Sequence, residues 1–547
     1  MLNLPHRIVA LKLARTVVLA LAAVFHSSTL LADSLPPSVI VIRQLLESWG
    51  AGYPAQINDS VIHNHQALLE LYTERGFTPI WLAVEESGQL EPNHSATELL
   101  QTISNVGDEG LNASDYHFNA IQDSLQDGTS LSLDLLLTDA FLTLAQHLLS
   151  GKVDPEKLTS EWKSYREYIN PKALIANLDH QSVAEVLDSV RPRPPRYRRL
   201  IKALAMLKDF PSDNWGPLAL SPAIKPNQQD DRLPEITRRL ALWGDLEAGS
   251  YSDETYNEAL NAAVIRFQTR HGLDADGIIG KNTLTALNLS PADRANQIVV
   301  NLERWRWLDQ NMGDSFIVVN IANFDLRVFN QGELVMQMPV IVGRNFRKTP
   351  VFSDKIRYLV LNPTWTVPQK LAVQDKLPEI KKDISYLKKY GFTLYDFGSN
   401  NVVNPENVDW ARLHKQFPYR LVQSPGPLNA LGQVKFMFPN SYDVYLHDTP
   451  SRDLFSKNER AFSSGCIRVS KPIELAELLL RPQGMTAEDI NQILAAPNNV
   501  TLNLKQTMPV HIEYWTAWVD DQGTLQFRTD IYERDNPVLE ALKQPLE

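Results

Sequence analysis

The chain has 547 residues, enough for three or four domains. Hydrophobic residues make up 44% and charged residues 21%, an ordinary soluble balance that supplies a sizeable core without disulfide staples. The formal net charge of -11 argues against a general nucleic-acid binder and says little else.

Arg7, Lys12 and Arg15 lead into a short, mostly apolar run at residues 16–25, and Ala32 suits the position before a cleavage point. This is the pattern of a secretory signal over residues 1–32, so a periplasmic location is expected. The run is about half of the ~20 residues a membrane span needs. Cleavage is therefore favoured over an uncleaved segment holding the chain at the inner membrane. No cysteine lies near the cut, which excludes a lipidated form.

Residues 33–230 read as a helical domain. Ile62, Leu68, Leu69 and Tyr72 fall at helical spacing before Gly76, and "DLLLTDAFLTLAQHLLSGKVDP" repeats the design with Gly151 and Pro155 as stops. His63 and His65 are two apart, which on a helix sends them to different sides, so solvated surface histidines are expected rather than a metal site. The basic, proline-rich "RPRPPRYRRL" at residues 191–200 reads as a semi-rigid connector, with contact to an anionic polymer as the alternative.

Residues 231–290 form a compact unit of three helix-like pieces. Ile236, Leu240 and Leu242 fit the first; Ala259, Ala263, Val264 and Phe267 the second; Thr283, Ala286 and Leu287 the third. Gly272 and Gly277 mark turns. The pattern Ala263-Val264, Phe267-Gln268, Gly272-Leu273, Asp276-Gly277, Gly280 and Thr283 resembles the three-helix peptidoglycan-binding module of bacterial wall enzymes. The resemblance implies glycan or stem-peptide binding, with Phe267 and Leu273 in the core.

From about residue 316 the period changes to alternation. "FIVVNI", "DLRVF", "ELVMQMPVIVG", "IRYLVL", "VKFMF", "DVYLH", "VTLNL", "VHIEYWTAWV" and "TLQFRTDIY" predict a β-rich domain over residues 300–547, with "NQGE" as a turn. The strands are interrupted at about residues 371–431 by a partly helical insertion, read as a lid over a site.

The only cysteine, Cys466, sits in "SSGCIRVSKP", residues 463–472. An exported chain with one thiol cannot pair it internally. On count alone it is either a packed, inert thiol or a nucleophile. Its neighbours favour the nucleophile. His447 ends a strand-like run 19 residues earlier and is suited to take the thiol's proton. Small Ser463, Ser464 and Gly465 leave the sulfur accessible and let backbone N–H groups converge on a developing oxyanion. Asp448 follows His447 directly and, pointing to the opposite face of a strand, does not suit a triad. Arg468 is read either as a substrate-carboxylate ligand or as half of a structural ion pair, and Trp365 and Tyr445 as site-lining or core aromatics. "GRNFRKTP", residues 343–350, is a basic loop and not a phosphate loop.

"YLHDTP" followed by "RAFSSGCIRVSKP" resembles the active-site signature of bacterial L,D-transpeptidases, a histidine, a spacer and then Ser/Thr-x-Gly-Cys-x-Arg. "NPTWTVP" and "PGPLNALGQVKFMFPNSYDVYLHDTP" extend the likeness. The whole mature chain resembles the large periplasmic subtype: helical scaffold domain, peptidoglycan-binding module, and β-rich catalytic domain with a capping insertion, a multidomain α+β architecture. The resemblance implies Cys466 as nucleophile, His447 as general base and acid, and the Gly465 and Cys466 N–H groups as oxyanion donors. It implies substrate contacts from Arg468, Ser464, Ser463, Tyr445 and Trp365, peptidoglycan stem peptides and glycan as partners beside other wall-synthesis enzymes, and no metal or cofactor. The implied reaction is a 3→3 cross-link made through a thioester with loss of D-Ala. The same site giving its acyl group to water, as a carboxypeptidase, an endopeptidase that cuts cross-links or a lipoprotein-releasing enzyme, stays open, as do lipoprotein anchoring and a non-catalytic wall-binding scaffold. A papain-like protease is disfavoured, because the histidine precedes the cysteine in a β-rich domain.

Overall fold

The computed structural model describes residues 37–84, 89–210, 215–247, 255–309 and 312–546. The export signal read in residues 1–32 lies outside them. The chain divides into two compact units, one of residues 1–103, 114–144 and 170–186, the other of 104–113, 145–169 and 187–547.

The first unit is helical among its described residues, with two short hairpins. Its buried polar groups converge on the helix Leu131–Ser150. The Asp134 carboxylate accepts the backbone N–H groups of Ile80, Trp81 and Leu82, and the Asp139 carboxylate accepts those of His63 and Asn64. Two acids on this helix thus satisfy chain turns that would be buried without partners. His65 is exposed, but His63 is not the solvated residue its spacing predicts. It is half-buried and stacks on His117 at 5.9 Å, whose Nε2 meets Asp139 at 2.7 Å.

In the second unit the proline-rich run is not a connector. Pro195 opens the helix Pro195–Lys208, where its missing N–H costs nothing. Arg191 is paired with Glu109 at 2.8 Å and Tyr197 is fully buried, so contact with an external polymer is ruled out for both. The helix Pro291–Arg306, started by a Ser290/Asp293 capping box, packs beside it. Glu303 and Arg306 on this helix are both fully buried and paired at 3.0 Å. Arg306 also donates to the Tyr197 hydroxyl and the Glu109 carbonyl, while Glu303 accepts from the Val153 N–H at 2.7 Å. Glu303→Gln leaves the arginine's charge short of its partner and is expected to cost about 3 kcal/mol. Urea unfolding followed by tryptophan fluorescence reads this; a loss under about 1 kcal/mol would show that Tyr197 and Glu109 suffice.

The helices Leu233–Leu242, Glu258–Arg270 and Lys281–Asn288 form the module predicted for this region, around Ile236, Leu240, Phe267, Leu284 and Leu287. The second helix buries its predicted face at Ala263, Val264 and Phe267, with Leu260 in place of exposed Ala259. Leu273 is only half-buried and not a core residue. Gln268 explains why the motif carries an amide. Its side chain accepts the Gly277 N–H at 2.9 Å and donates to the Ile278 carbonyl at 2.9 Å, so it staples the turn after its own helix. Gly277 has φ +72, and a Cβ there would lie 2.0 Å from Asn261 Oδ1.

The β domain runs β1 Phe316–Asn320, β2 Asp325–Asn330, β3 Glu333–Gly343, β4 Phe352–Leu361, β5 Trp365–Thr366, β6 Phe392–Asp396, β7 Tyr419–Gln423, β8 Val434–Met437, β9 Leu446–His447, β10 Ala461–Ser463, β11 Ile467–Val469, β12 Val500–Glu513, β13 Ala517–Val519 and β14 Leu525–Phe527. Its main sheet has the order β10-β3-β11-β9-β8-β4-β12-β1-β2, and β3 also pairs with β2, which closes the sheet on itself. "NQGE" is the β2–β3 turn, with Gln331 and Gly332 both at positive φ. The two runs "VTLNL" and "VHIEY" merge into one bulged strand, β12. The segment interrupting the sheet is more ordered than its lost alternation predicts. Its two strands join β5, just before it, in a three-stranded sheet, β6-β7-β5, and it has its own core of Leu377, Ile380, Leu394, Phe417 and Leu421.

Candidate active site

Strand register builds the site. Lys435 on β8 stands opposite His447 on β9, and His447 opposite Arg468 on β11. The Ile467 N–H donates to the Tyr445 carbonyl at 3.1 Å, which carries the β9–β11 ladder back past the thiol. Residues two apart share a face. Lys435, Tyr445, His447, Cys466 and Arg468 therefore occupy one face, while Phe436, Leu446 and Ile467, all fully buried, occupy the core face. The contacts agree. The Tyr445 ring lies 5.6 Å from the His447 ring, and Lys435 Nζ lies 3.8 Å from the Tyr445 ring centre.

His447 Nδ1 donates to the Asp448 carbonyl at 2.5 Å, which fixes the tautomer and leaves the Nε2 lone pair for chemistry. Burial, with Arg468 and Lys435 adding, pulls the imidazole down to about 3. It is neutral throughout the physiological range. The Asp448 carboxylate is engaged elsewhere, by the Gln433 N–H at 2.9 Å and Arg452 at 2.8 Å. The group that orients His447 is thus the backbone.

The Cys466 thiol is half-buried and donates to the Asp443 carbonyl at 3.7 Å. Burial pushes the thiol up; contacts from Tyr445 and the charges of Lys435 and Arg468 pull it part of the way back. The resting pair is a protonated thiol and a neutral imidazole. Arg468 has no carboxylate partner among the described residues, and its Nε is buried without a hydrogen bond. Burial and Arg344 lower its affinity for a proton, and it in turn lowers that of Lys376. Of the two readings open for Arg468, a structural ion pair is absent. An unpaired, half-buried guanidinium beside a thiol is a ready receptor for a carboxylate.

The loop residues differ from their predicted parts. Ser463 is buried; its hydroxyl donates to the Cys466 carbonyl at 2.5 Å and accepts the Gly465 N–H at 3.1 Å. Ser463 thus braces the loop from inside, and the Gly465 N–H, expected as an oxyanion donor, is hydrogen-bonded to the Ser463 hydroxyl. Ser464 is exposed and accepts from Arg347 at 2.9 Å. Arg347 also clamps Asp375 of the insertion through both nitrogens, at 2.6 and 2.8 Å, so the basic loop after β3 ties the nucleophile loop to the insertion. Trp365 packs in the core of the insertion, with Phe392 and the Lys376 ammonium against its ring, and Tyr445 packs against the same cluster. Lys435, Lys376 and Arg344 were not singled out from the sequence. Two of them carried a signal: Lys435 alternates with Val434 and Phe436 in a strand next to the histidine's, and Arg344 lies in the basic loop at residues 343–350.

Residues 314–512 match the family described as "L,D-transpeptidase catalytic domain", residues 229–287 the "Putative peptidoglycan binding domain" and residues 66–204 the "Scaffold domain". A relative from Haemophilus influenzae named "Putative L,D-transpeptidase" is 39% identical over 222 residues, covering 41% of this chain and 45% of its own length. Among solved structures, an L,D-transpeptidase from Mycobacterium smegmatis is 13% identical, covers 37% of this chain and 58% of its own, and has a TM-score of 0.17. L,D-transpeptidase 3 from Mycobacterium tuberculosis is 14% identical over 37% of this chain and 61% of its own, with a TM-score of 0.19. Scores this low bear no argument. By these matches three stretches of the chain are similar to a scaffold domain, a peptidoglycan-binding domain and an L,D-transpeptidase catalytic domain, and the chain spans less than half the length of the Haemophilus influenzae relative.

Proposed function

We propose that the chain is a periplasmic peptidoglycan L,D-transpeptidase that forms 3→3 cross-links through a thioester on Cys466. The observation that carries the reading is the shared strand face: the lone thiol, a histidine with its Nε2 lone pair unused, and an arginine with no acid to pair with. In the first half-reaction the thiol proton passes to His447 Nε2 and sulfur attacks the carbonyl of the third stem residue. The C–S bond forms and the carbonyl electron pair moves to oxygen, where the Cys466 N–H receives it. On collapse the amide C–N bond breaks, and His447 gives its proton to the departing D-Ala amine. In the second half the side-chain amine of another stem attacks the thioester. It yields its proton to His447, which returns it to the thiolate.

The cations around the thiol suit a donor rich in carboxylates. Arg468→Ala is expected to raise KM for a tetrapeptide donor about 10- to 100-fold, the worth of a charged hydrogen bond, with little change in kcat. A donor with its side carboxyl amidated should show the same penalty on the native chain and no further penalty on the variant. Equal KM values across the set would remove Arg468 from recognition. The function itself is tested by intact-mass measurement after exposure to a carbapenem, a strained acyl donor. One adduct mapping to Cys466 is expected; an adduct elsewhere, or none with the thiol free to alkylation, would overturn the reading.

A further inference from the structure

We infer that Thr349 and Tyr532 are positioning residues that aim the Cys466 N–H at the reacting carbonyl; this rests on the function proposed above. Thr349 is fully buried on the loop after β3, and its Oγ1 donates to the Gly465 carbonyl at 2.8 Å. The same oxygen accepts the Gly343 N–H at 2.9 Å. The Tyr532 hydroxyl accepts the Thr349 N–H at 3.2 Å and donates to the Gly343 carbonyl. Tyr532 is itself held: its N–H donates to the Tyr514 hydroxyl at 2.9 Å, its carbonyl accepts from Lys348 at 2.9 Å, and Tyr514 donates to Asp530 at 2.6 Å.

The consequence is geometric. In a trans peptide the C=O and the following N–H point in opposite directions. Thr349 holds the Gly465 carbonyl into the core, so the N–H of the next residue, Cys466, is turned away from the core toward the sulfur's side. Gly465 permits this with φ +119, a region only glycine enters freely. A Cβ there would meet nothing nearer than the Lys348 carbonyl at 3.7 Å, so backbone conformation and not space demands the glycine. Ser463 holds the Gly465 N–H and the Cys466 carbonyl. Of the four backbone groups of residues 465 and 466, three are fixed within the protein, and the fourth, the Cys466 N–H, has no partner among the described residues. Tyr532 lies beyond residue 512, where the catalytic family match stops. The chain therefore recruits its C-terminal segment to brace the nucleophile loop.

Two reactions of the same sulfur separate aiming from folding. Acylation by a carbapenem passes through an oxyanion and needs the N–H. Alkylation by iodoacetamide is a direct displacement at carbon and does not. In the full chain, Thr349→Val is expected to lower acylation about 10- to 100-fold while alkylation stays within about threefold of native, somewhat less than the direct removal of an oxyanion donor costs. Thr349→Ser, which keeps the hydroxyl, should restore acylation to within about threefold of native. Tyr532→Phe should show the same selective loss at about 5- to 10-fold, and decides the matter if Thr349→Val does not fold. Acylation and alkylation falling together, or neither changing in the folded variants, would overturn the inference alone. A native chain that alkylates but is never acylated would overturn the proposed function and this inference with it.

Discussion

Cys466→Ala is expected to abolish cross-linking, with a loss of at least about 10⁴-fold, and Cys466→Ser to be nearly as inactive. The alanine result follows from there being one thiol in the chain, on the strand face that carries His447. The serine result follows from the histidine. Burial and two nearby cations leave His447 a weak base, with its protonation pulled down to about 3. A thiol, even one pushed up by burial, still gives its proton far more readily than a hydroxyl. An imidazole this weak serves the first and not the second. Product analysis by chromatography and mass spectrometry reads both variants, and activity above about 1% in either would require a different nucleophile.

His447→Ala is expected to lower kcat/KM about 10²- to 10⁴-fold, the usual worth of a general base. The native pH profile should identify the cause. The competent form is the neutral imidazole. Its folded value lies well below the ordinary 6.5, so this form is complete above about pH 5 and is lost only as pH falls toward 3. The acid side should therefore be flat between about pH 5 and 8, with no inflection near 6.5. Stability shifts in the matching direction. The unfolded chain binds protons at these positions below 6.5 and the folded chain does not, so stability falls as pH drops from 6.5 toward the folded values. His511, pulled down to about 4 by burial, and buried His271, also lowered, add with the same sign. Rates and melting temperatures measured between pH 4 and 8 test both statements. A rate that rises with a midpoint near 6.5 would mean that the imidazole is not buried as described.

Much of this was legible in the chain. Alternation located the strands of the main sheet except β10 and β11, and the same alternation places Lys435, His447 and Arg468 on one face once the register is known. The register itself was not legible. Three-residue β11 is too short to announce itself, two-residue β9 shows only as the end of the run "DVYLH", and only their pairing shows which residues meet. The insertion misled for a related reason. Its strands cover a small core of their own, and Trp365 is buried in it. The loop serines illustrate a second limit. Sequence shows that Ser463, Ser464 and Gly465 are small, but which hydrogen bonds are already spent depends on partners up to 189 residues away, as with Tyr532 and Gly343. The same holds for the run at residues 191–200, whose prolines and arginines read as linker until Glu109, 82 residues earlier, pairs with Arg191.

The most direct test of the account is to incubate the chain with a disaccharide-tetrapeptide and weigh the products, with Cys466→Ala alongside. The account predicts a dimer whose mass is two donors less one D-Ala, absent with the variant. Tripeptide alone would put water in place of the acceptor amine and contradict transpeptidation. Dimer formed equally by Cys466→Ala would contradict the thiol as nucleophile.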